Sequence, residues 1–460
     1  MSATSGEVRK GGRPIAPLIL LFGVLGTVWL AWAGQDMGFL FAALFTMLLA
    51  GVPVAIALGG SSLLFVYVTG QVPEVVVAHR MINGVDSFPL LAIPFFILAG
   101  TLMNGAGITY RLFNFANALM GWMRGGLGHV NIGASIIFSG MSGAAVADAG
   151  GLGTIEIKAM RERGYEPDFA VGITAASSTI GPIIPPSLPM VIYGVMASAS
   201  IGQLFVAGLI PGLVMAAMLM VMVAWISRRR GYPRDTQFSA SRLWHTFTQA
   251  FLSLLTPVII VGGIISGAFT PTEAAIAAVV YALFLGAVVY RTLPPRRLLR
   301  ISMETIETTA IILLVVAAAS IFSWILISNQ FTNYFATLLT SFTDSQVVIL
   351  LLMTIIMLVV GCFMETVAAI TILVPVLLPV ATQVGVDPVH FGVIMVLNLM
   401  IGLLTPPVGM VLYVLSRVSG VSFERCMRGT LPFLIPLLIS LLLITFIPAI
   451  SMTLPNLMYR

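Results

Sequence analysis

AASSTIGPIIPPS, residues 175–187, and NLMIGLLTPPVG, residues 398–409, each set a double proline inside an apolar run. An interior proline removes a backbone donor and clashes with the preceding turn, at about 3 kcal/mol or more, so neither run continues as one helix. The two runs belong to a longer repeat. Gly140, Pro167, Gly181, Pro185, Pro186 and Pro211 recur 221 positions later as Gly361, Pro388, Gly402, Pro406, Pro407 and Pro432, among 14 identities over 72 ungapped positions. These residues dictate backbone shape, and matched interruptions in two halves of a membrane chain point to a transport site.

The chain has 460 residues, 59% hydrophobic and only 8% charged, about a third of the charge of a soluble domain. This composition predicts an all-α polytopic membrane protein. The net charge of +5 is read as basic cytoplasmic loops and not as a nucleic-acid site. Cys362 and Cys426 read as small apolar packing residues rather than a disulfide pair. His79, His129, His245 and His390 show no metal-ligand spacing and read as interfacial histidines.

Assigned to membrane spans, the apolar runs predict eleven crossings, near 15–33, 38–69, 88–105, 108–122, 167–200, 203–227, 245–267, 271–291, 303–328, 388–415 and 430–450. Two re-entrant hairpins fill 128–160 and 345–383. The run from Ile15 to Ala33 follows Arg9, Lys10 and Arg13, but it is too long for a signal peptide and is read as a retained first span. With the N-terminus inside, 20 of the 22 basic residues fall on the cytoplasmic side, and only Arg111 and Arg460 fall outside. The two copies then enter the membrane from opposite sides, giving an inverted-topology repeat. The expected organisation is scaffold helices over 1–127, a first transport repeat over 128–211, scaffold over 212–344, a second transport repeat over 345–432 and a C-terminal helix over 433–460.

Unwound backbone at mid-membrane is tolerated only where it is buried or lines an aqueous cavity, and its carbonyls become ligands for a small hard cation. Opposite the breaks lie the hairpin tips, Ser139 to Ala145 and Cys362 to Thr366, where Ser139, Ser142 and Thr366 add hydroxyl oxygens. An all-oxygen environment favours sodium over a transition metal. Helix N-termini at the breaks would face an anionic substrate. Among the acids, Asp148 either supports the cation site or caps a helix, and Glu365 is read as an ion or substrate gate. Glu273, after Thr270, Pro271 and Thr272, reads as a capping residue, and Glu304 and Glu307 as interfacial. An integral-membrane enzyme using Asp148 and Glu365 as an acid pair is the reading from another class. No nucleophile arrangement or metal motif supports it, and no Gly-Lys-Ser/Thr loop points to ATP.

At these residues the chain resembles the large membrane subunit of the tripartite ATP-independent periplasmic (TRAP) transporters, within the ion transporter superfamily. The matching stretches are GVPVAIALG at 51–59, FPLLAIPFFILAG at 88–100, SGMSGAAVADAGGLGTIEIKAM at 139–160, TAASSTIGPIIPPS at 174–187, FTPTEAAIAAVVYALFLG at 269–286 and NLMIGLLTPPVGM at 398–410. The resemblance implies an elevator-type carrier in the bacterial inner membrane, where the span assignment above puts the N-terminus on the cytoplasmic and the C-terminus on the periplasmic side. It implies sodium-driven import of a C4-dicarboxylate, sialic acid or similar carboxylate. The implied partners are a small four-helix membrane subunit and a periplasmic substrate-binding protein, in contact with membrane lipid; a stand-alone sodium/carboxylate symporter is the alternative. Carried onto this chain, sodium falls at Ser142, Gly143, Thr179 and Gly181 in the first half and at Thr366, Gly402, Thr405 and Pro406 in the second. Substrate falls near Ser142, Ser187, Thr366 and Asn398. The chain departs at Ala144, where related tips often hold a hydroxyl residue.

Overall fold

The computed structural model describes residues 15–343 and 345–459, and the side chains of 15–19 and 140–142 lie outside the described residues. Every regular element among them is a helix. The chain begins with α1 (Ile15–Trp32), α2 (Asp36–Leu49) and α3 (Val54–Thr69), followed by α4 (Val75–Val85), α5 (Ala92–Gly105) and α6 (Ile108–Met120). The first hairpin is α7 (Gly126–Ser142), α8 (Ala145–Gly150) and α9 (Leu152–Glu162). The first broken helix is α10 (Pro167–Ser178) and α11 (Leu188–Met196), and α12 (Ile201–Arg230) follows it. Between the repeats run α13 (Ala240–Ile265), α14 (Pro271–Phe284), α15 (Pro295–Ser328) and α16 (Phe331–Phe342). The second hairpin is α17 (Gln346–Phe363) and α18 (Thr366–Gln383), its broken helix α19 (Pro388–Gly402) and α20 (Met410–Ser419), and the chain closes with α21 (Phe423–Phe446) and α22 (Ala449–Met458).

Both hairpins and both breaks lie where the repeat predicts them. The stretch 38–69 does not form the single crossing expected. Gly51 adopts φ 79°, and Pro53 disfavours a helical Val52, so α2 stops at Leu49 and α3 packs back along it. Eight helical segments among the described residues are long and apolar enough to cross a membrane. The expected eleven counted as whole crossings the stretches that divide into α2 and α3, α10 and α11, and α19 and α20. It also counted α1, whose fully described part is an apolar helix of 10–17 residues, and the 13-residue α6, whereas the eight include the two arms of the second hairpin, α17 and α18.

Local chemistry explains the helix starts. Thr270 and Glu273 form a reciprocal capping box on α14 with Pro271 at its first position, as the sequence predicts. Asp387 caps α19 by accepting from Val389 N at 2.7 Å and His390 N at 3.3 Å. Two of the four histidines are buried in the protein. His129 and His390 are each only 2% exposed, because α7 and α19 are buried by neighbouring helices, whereas His79 and His245 are exposed. Cys362 and Cys426 are buried free thiols.

The two broken helices form the centre of the molecule. Residues 169–178 of α10 and 389–402 of α19 are buried on every side, the pattern of a helix that is apolar all round. α10 packs on α21 at a glycine crossing, where a Cβ on Gly172 would lie 2.0 Å from Gly429 O. Asp168 and Arg425 pair at 2.6 Å beside this crossing. Gly172→Val is therefore expected to cost more than about 3 kcal/mol, since both sides of the clash are backbone. Gly26→Ala, which meets nothing within 4 Å, leaves the detergent melting temperature near that of the parent. Equal melting temperatures for the two variants would refute the close crossing.

Candidate ion and substrate site

In the first break, Pro182, Pro185 and Pro186 occupy the positions whose N–H groups would serve the carbonyls of Ser178, Gly181 and Pro182 in a continuous helix. The chain instead turns through short-range bonds from Ile180 N to Ser177 O at 3.0 Å and from Ile183 N to Ile180 O at 3.0 Å. Pro182 O accepts from the Ser187 hydroxyl, and that hydroxyl accepts from Met190 N at 3.2 Å, capping α11. Thr179, fully buried, donates to Ala176 O at 2.6 Å. The Pro185–Pro186 bond is cis.

Tip and break meet directly. Gly143 has φ 59°, and a Cβ there would lie 2.6 Å from Pro186 O. A Cβ on Gly181 would lie 2.1 Å from Asp148 Oδ2, so the Asp148 carboxylate, 2% exposed, rests against the break itself. Ser142 ends α7, and its side chain lies outside the described residues.

The second break repeats the arrangement with different side chains. Pro406 and Pro407, joined by a cis bond, remove the helical donors for Gly402 O and Leu403 O. Thr405 N turns to Gly402 O at 2.9 Å, Thr405 Oγ1 donates to Ile401 O at 2.9 Å, and Val411 N reaches Leu403 O at 3.3 Å. Gly402 lies so close to the second hairpin that a Cβ would come within 2.6 Å of Gly361 Cα, and Val408 N donates to Cys362 O at 3.3 Å. Thr366 opens α18 and is buried. Glu365 caps α18, accepting from Val367 N at 2.8 Å and Ala368 N at 3.4 Å, so that helix start already holds its own carboxylate. α20 follows Gly409 without a side-chain cap, its first turn instead bonding Val411 N to Leu403 O and Leu412 N to Gly409 O.

Asn398 is fully buried one turn before Gly402. Its Nδ2 donates to Ile394 O at 2.8 Å, while Oδ1 has no hydrogen-bond partner among the described residues. Together with carbonyls that have lost their helical donors, this supplies oxygen ligands of the kind a small cation takes. No group of three His, Cys, Asp or Glu side chains suited to a metal ion occurs among the described residues. Ser187, Thr366 and Asn398 are not hydrogen-bonded to one another.

The two half-sites interlock. α8, which follows the first tip, packs on α20 of the second broken helix, and α18, which follows the second tip, packs on α11 of the first. α10 likewise packs on α21, and α19 on α12.

A buried polar cluster beside the first break was not singled out from sequence. Asn131 on α7 donates through Nδ2 to Glu156 Oε2 at 2.8 Å and to Thr174 Oγ1 at 2.7 Å, and its Oδ1 accepts from Ser177 at 2.5 Å. Glu156 on α9 is 2% exposed, and its Oε1 has no hydrogen-bond partner among the described residues. The available signal was an acid followed by Ile157 in a hairpin arm, facing two hydroxyls one turn apart at Thr174 and Ser177.

The family model for the DctM component of the tripartite ATP-independent periplasmic transporter matches residues 41–450. The chain belongs to this family. It is 51% identical over 411 residues to the sialic acid TRAP transporter large permease protein SiaM of Vibrio cholerae, covering 89% of this chain and 96% of that protein. It is 45% identical over 408 residues to the sialic acid TRAP transporter permease protein SiaT of Haemophilus influenzae, covering 89% of this chain and 66% of that protein. In fold it is similar to the Alcanivorax borkumensis YdaH transporter, with TM-score 0.60 and 14% identity over 80% of this chain and 86% of that one. As a TRAP large permease the chain is a multi-pass membrane transporter and not an enzyme, so the acid-pair reading of Asp148 and Glu365 lapses.

Within this permease, Glu156→Gln keeps an oxygen acceptor for Asn131, whereas Glu156→Leu leaves that buried amide unsatisfied at a cost of about 1–3 kcal/mol. The leucine variant should melt several degrees below the glutamine variant in detergent. Indistinguishable melting would mean that the Asn131 bond does not hold the hairpin to α10.

Proposed function

We propose that the permease imports an organic acid, driven by sodium, across the bacterial inner membrane. Sialic acid is the favoured cargo within a class of carboxylates that includes C4-dicarboxylates, because the two relatives described above carry sialic acid in their names. The single observation that carries the reading is the pair of proline breaks 221 residues apart, each closed by its own hairpin tip. On this reading sodium is held in one half by Ser142, Gly143, Thr179 and Gly181 and in the other by Thr366, Gly402, Thr405 and Pro406. The substrate carboxylate lies between the tips, near Ser142, Ser187, Thr366 and Asn398. The α20 amides at Gly409 supply positive partial charge toward it. Asp148 stands beside the first ion, and Glu365 orders the second tip.

In this proposal a periplasmic binding protein delivers the acid, and a small four-helix subunit accompanies the permease. The two hairpins and broken helices, an inverted repeat, travel as one elevator body. Net inward movement of one positive charge is worth about 2.3 kcal/mol per 100 mV, roughly a 50-fold concentration ratio before the sodium gradient is added.

The test is uptake of labelled sialic acid into proteoliposomes that hold the permease and its small subunit, with binding protein outside. Uptake should need an inward sodium gradient and the binding protein together. Uptake at equal rate in potassium alone would sink the sodium assignment, and uptake by the permease alone would sink the dependence on partners. Thr405→Val should raise the sodium concentration for half-maximal uptake about tenfold, the equivalent of about 1.4 kcal/mol. Gly402→Ala, driven into Gly361, should cut uptake at saturating sodium as well.

A further inference from the structure

We infer that a cleft at the foot of the first hairpin binds the phosphate headgroup of an anionic phospholipid. Arg124 and Arg234 face each other across an isolated antiparallel bridge, anchored by Gly125 N donating to Pro233 O at 3.0 Å. Residues opposite one another in such a bridge put their side chains on the same face, about 4.5–5.5 Å apart at Cβ, and like charges so placed repel. Arg228, in the last turn of α12, adds a third guanidinium to the same cleft of about 420 Å³.

Among the described residues no ion pair neutralises this group. The ion pairs among the described residues are Arg230 with Glu166 and Arg425 with Asp168, so none of the three arginines has a carboxylate within 4 Å. Asp235 follows Arg234 in sequence, but its Oδ2 accepts from Leu127 N at 2.8 Å and from the Tyr165 hydroxyl at 2.5 Å, toward the neighbouring cleft. His129 lines the cleft while only 2% exposed, and its Nδ1 has no hydrogen-bond partner among the described residues. Its ring thus forms part of the cleft wall.

The arrangement is built rather than incidental. Gly125 adopts φ 68° and sits so close to α12 that a Cβ would lie 1.9 Å from Ser227 Oγ, which fixes the bridge against the helix that carries Arg228.

Aromatic surface separates a lipid from a soluble anion. Trp122 lines the cleft, donates to Leu119 O at 2.8 Å and meets Phe238 edge-on at 6.2 Å, and both rings remain exposed. Below Arg228 on α12, Trp225 and Val221 are 50% and 67% exposed one turn apart, an apolar track for an acyl chain. Exposed Trp beside clustered arginine marks the membrane–water boundary, where basic pockets take lipid headgroups.

The purified full chain, delipidated in detergent and titrated with dioleoylphosphatidylglycerol or dioleoylphosphatidylcholine, is read by native mass spectrometry. The parent should retain phosphatidylglycerol in preference to phosphatidylcholine. R124Q/R234Q should bind phosphatidylglycerol about 30-fold more weakly, as expected when two basic side chains near an anionic headgroup are lost. R124K/R234K keeps the charge and the preference, and R296Q/R300Q, an equal charge loss elsewhere, leaves binding unchanged. Equal retention of the two lipids, or undiminished phosphatidylglycerol binding by R124Q/R234Q, overturns the inference. So does retention of millimolar inorganic phosphate in place of any lipid, which would make the cleft a soluble-anion site.

Discussion

A carbonyl whose helical donor would be a proline nitrogen has to find another partner, and inside an apolar segment water does not supply one. Ser178, Gly181 and Pro182 in one half, and Gly402 and Leu403 in the other, are in that position. The chain answers with a serine hydroxyl on Pro182 O, a threonine amide on Gly402 O and a backward bond from Val411 to Leu403 O. The hairpins close what remains. Gly143 and Gly361 are the points of approach: a Cβ on Gly143 would come within 2.6 Å of Pro186 O, and Gly361 lies where a Cβ on Gly402 would come within 2.6 Å of it. The architecture around them follows, because a loop of main chain kept short of donors must be buried, and burying two of them requires helices on every side.

The halves share a backbone but not a chemistry. Ser177 and Asn398 occupy equivalent positions in the repeat, one turn before the glycine of each break. In the first half the serine hydroxyl is absorbed into the network of Asn131, Thr174 and Glu156. In the second the amide bonds to its own helix and leaves Oδ1 buried and unmatched. Acids differ in the same way: Asp148 leans on Gly181, whereas Glu365 is held by the amides of its own helix start. The two proposed sodium sites would therefore not be expected to have identical affinity, since the oxygens that reach each break come from different groups.

What sequence could show depended on how local the cause was. Proline pairs, the Thr270–Glu273 box and glycines at tips act within a few residues, and they located both hairpins, both breaks and the α14 start. The division of 38–69 was also local, in Gly51 and Pro53, but the apolar run on either side concealed it. Glu156 and Asn131 lie 25 residues apart on opposing arms, so their pairing appears only after the hairpin closes. The burial of His129 and His390 has the same origin: their environment comes from helices distant in sequence. Ser142 was placed in the site by its hydroxyl at the first tip as well as by resemblance, and only the backbone of that position is described.

The interlock limits how such a molecule can move. Lifting one hairpin off its break would strip cover from the carbonyls that prolines leave without helical donors, and each break has no equivalent substitute nearby. It would also separate α8 from α20 or α18 from α11, so that disturbing either half disturbs the other. Displacing both halves together would keep these contacts and shift the cost to the surfaces around them, such as that between α15 and α18, where one hydrogen bond, from Ser323 Oγ to Thr371 O at 3.3 Å, would have to be exchanged. This interlock supports the proposed movement of the two repeats as a single body over independent gating of either tip.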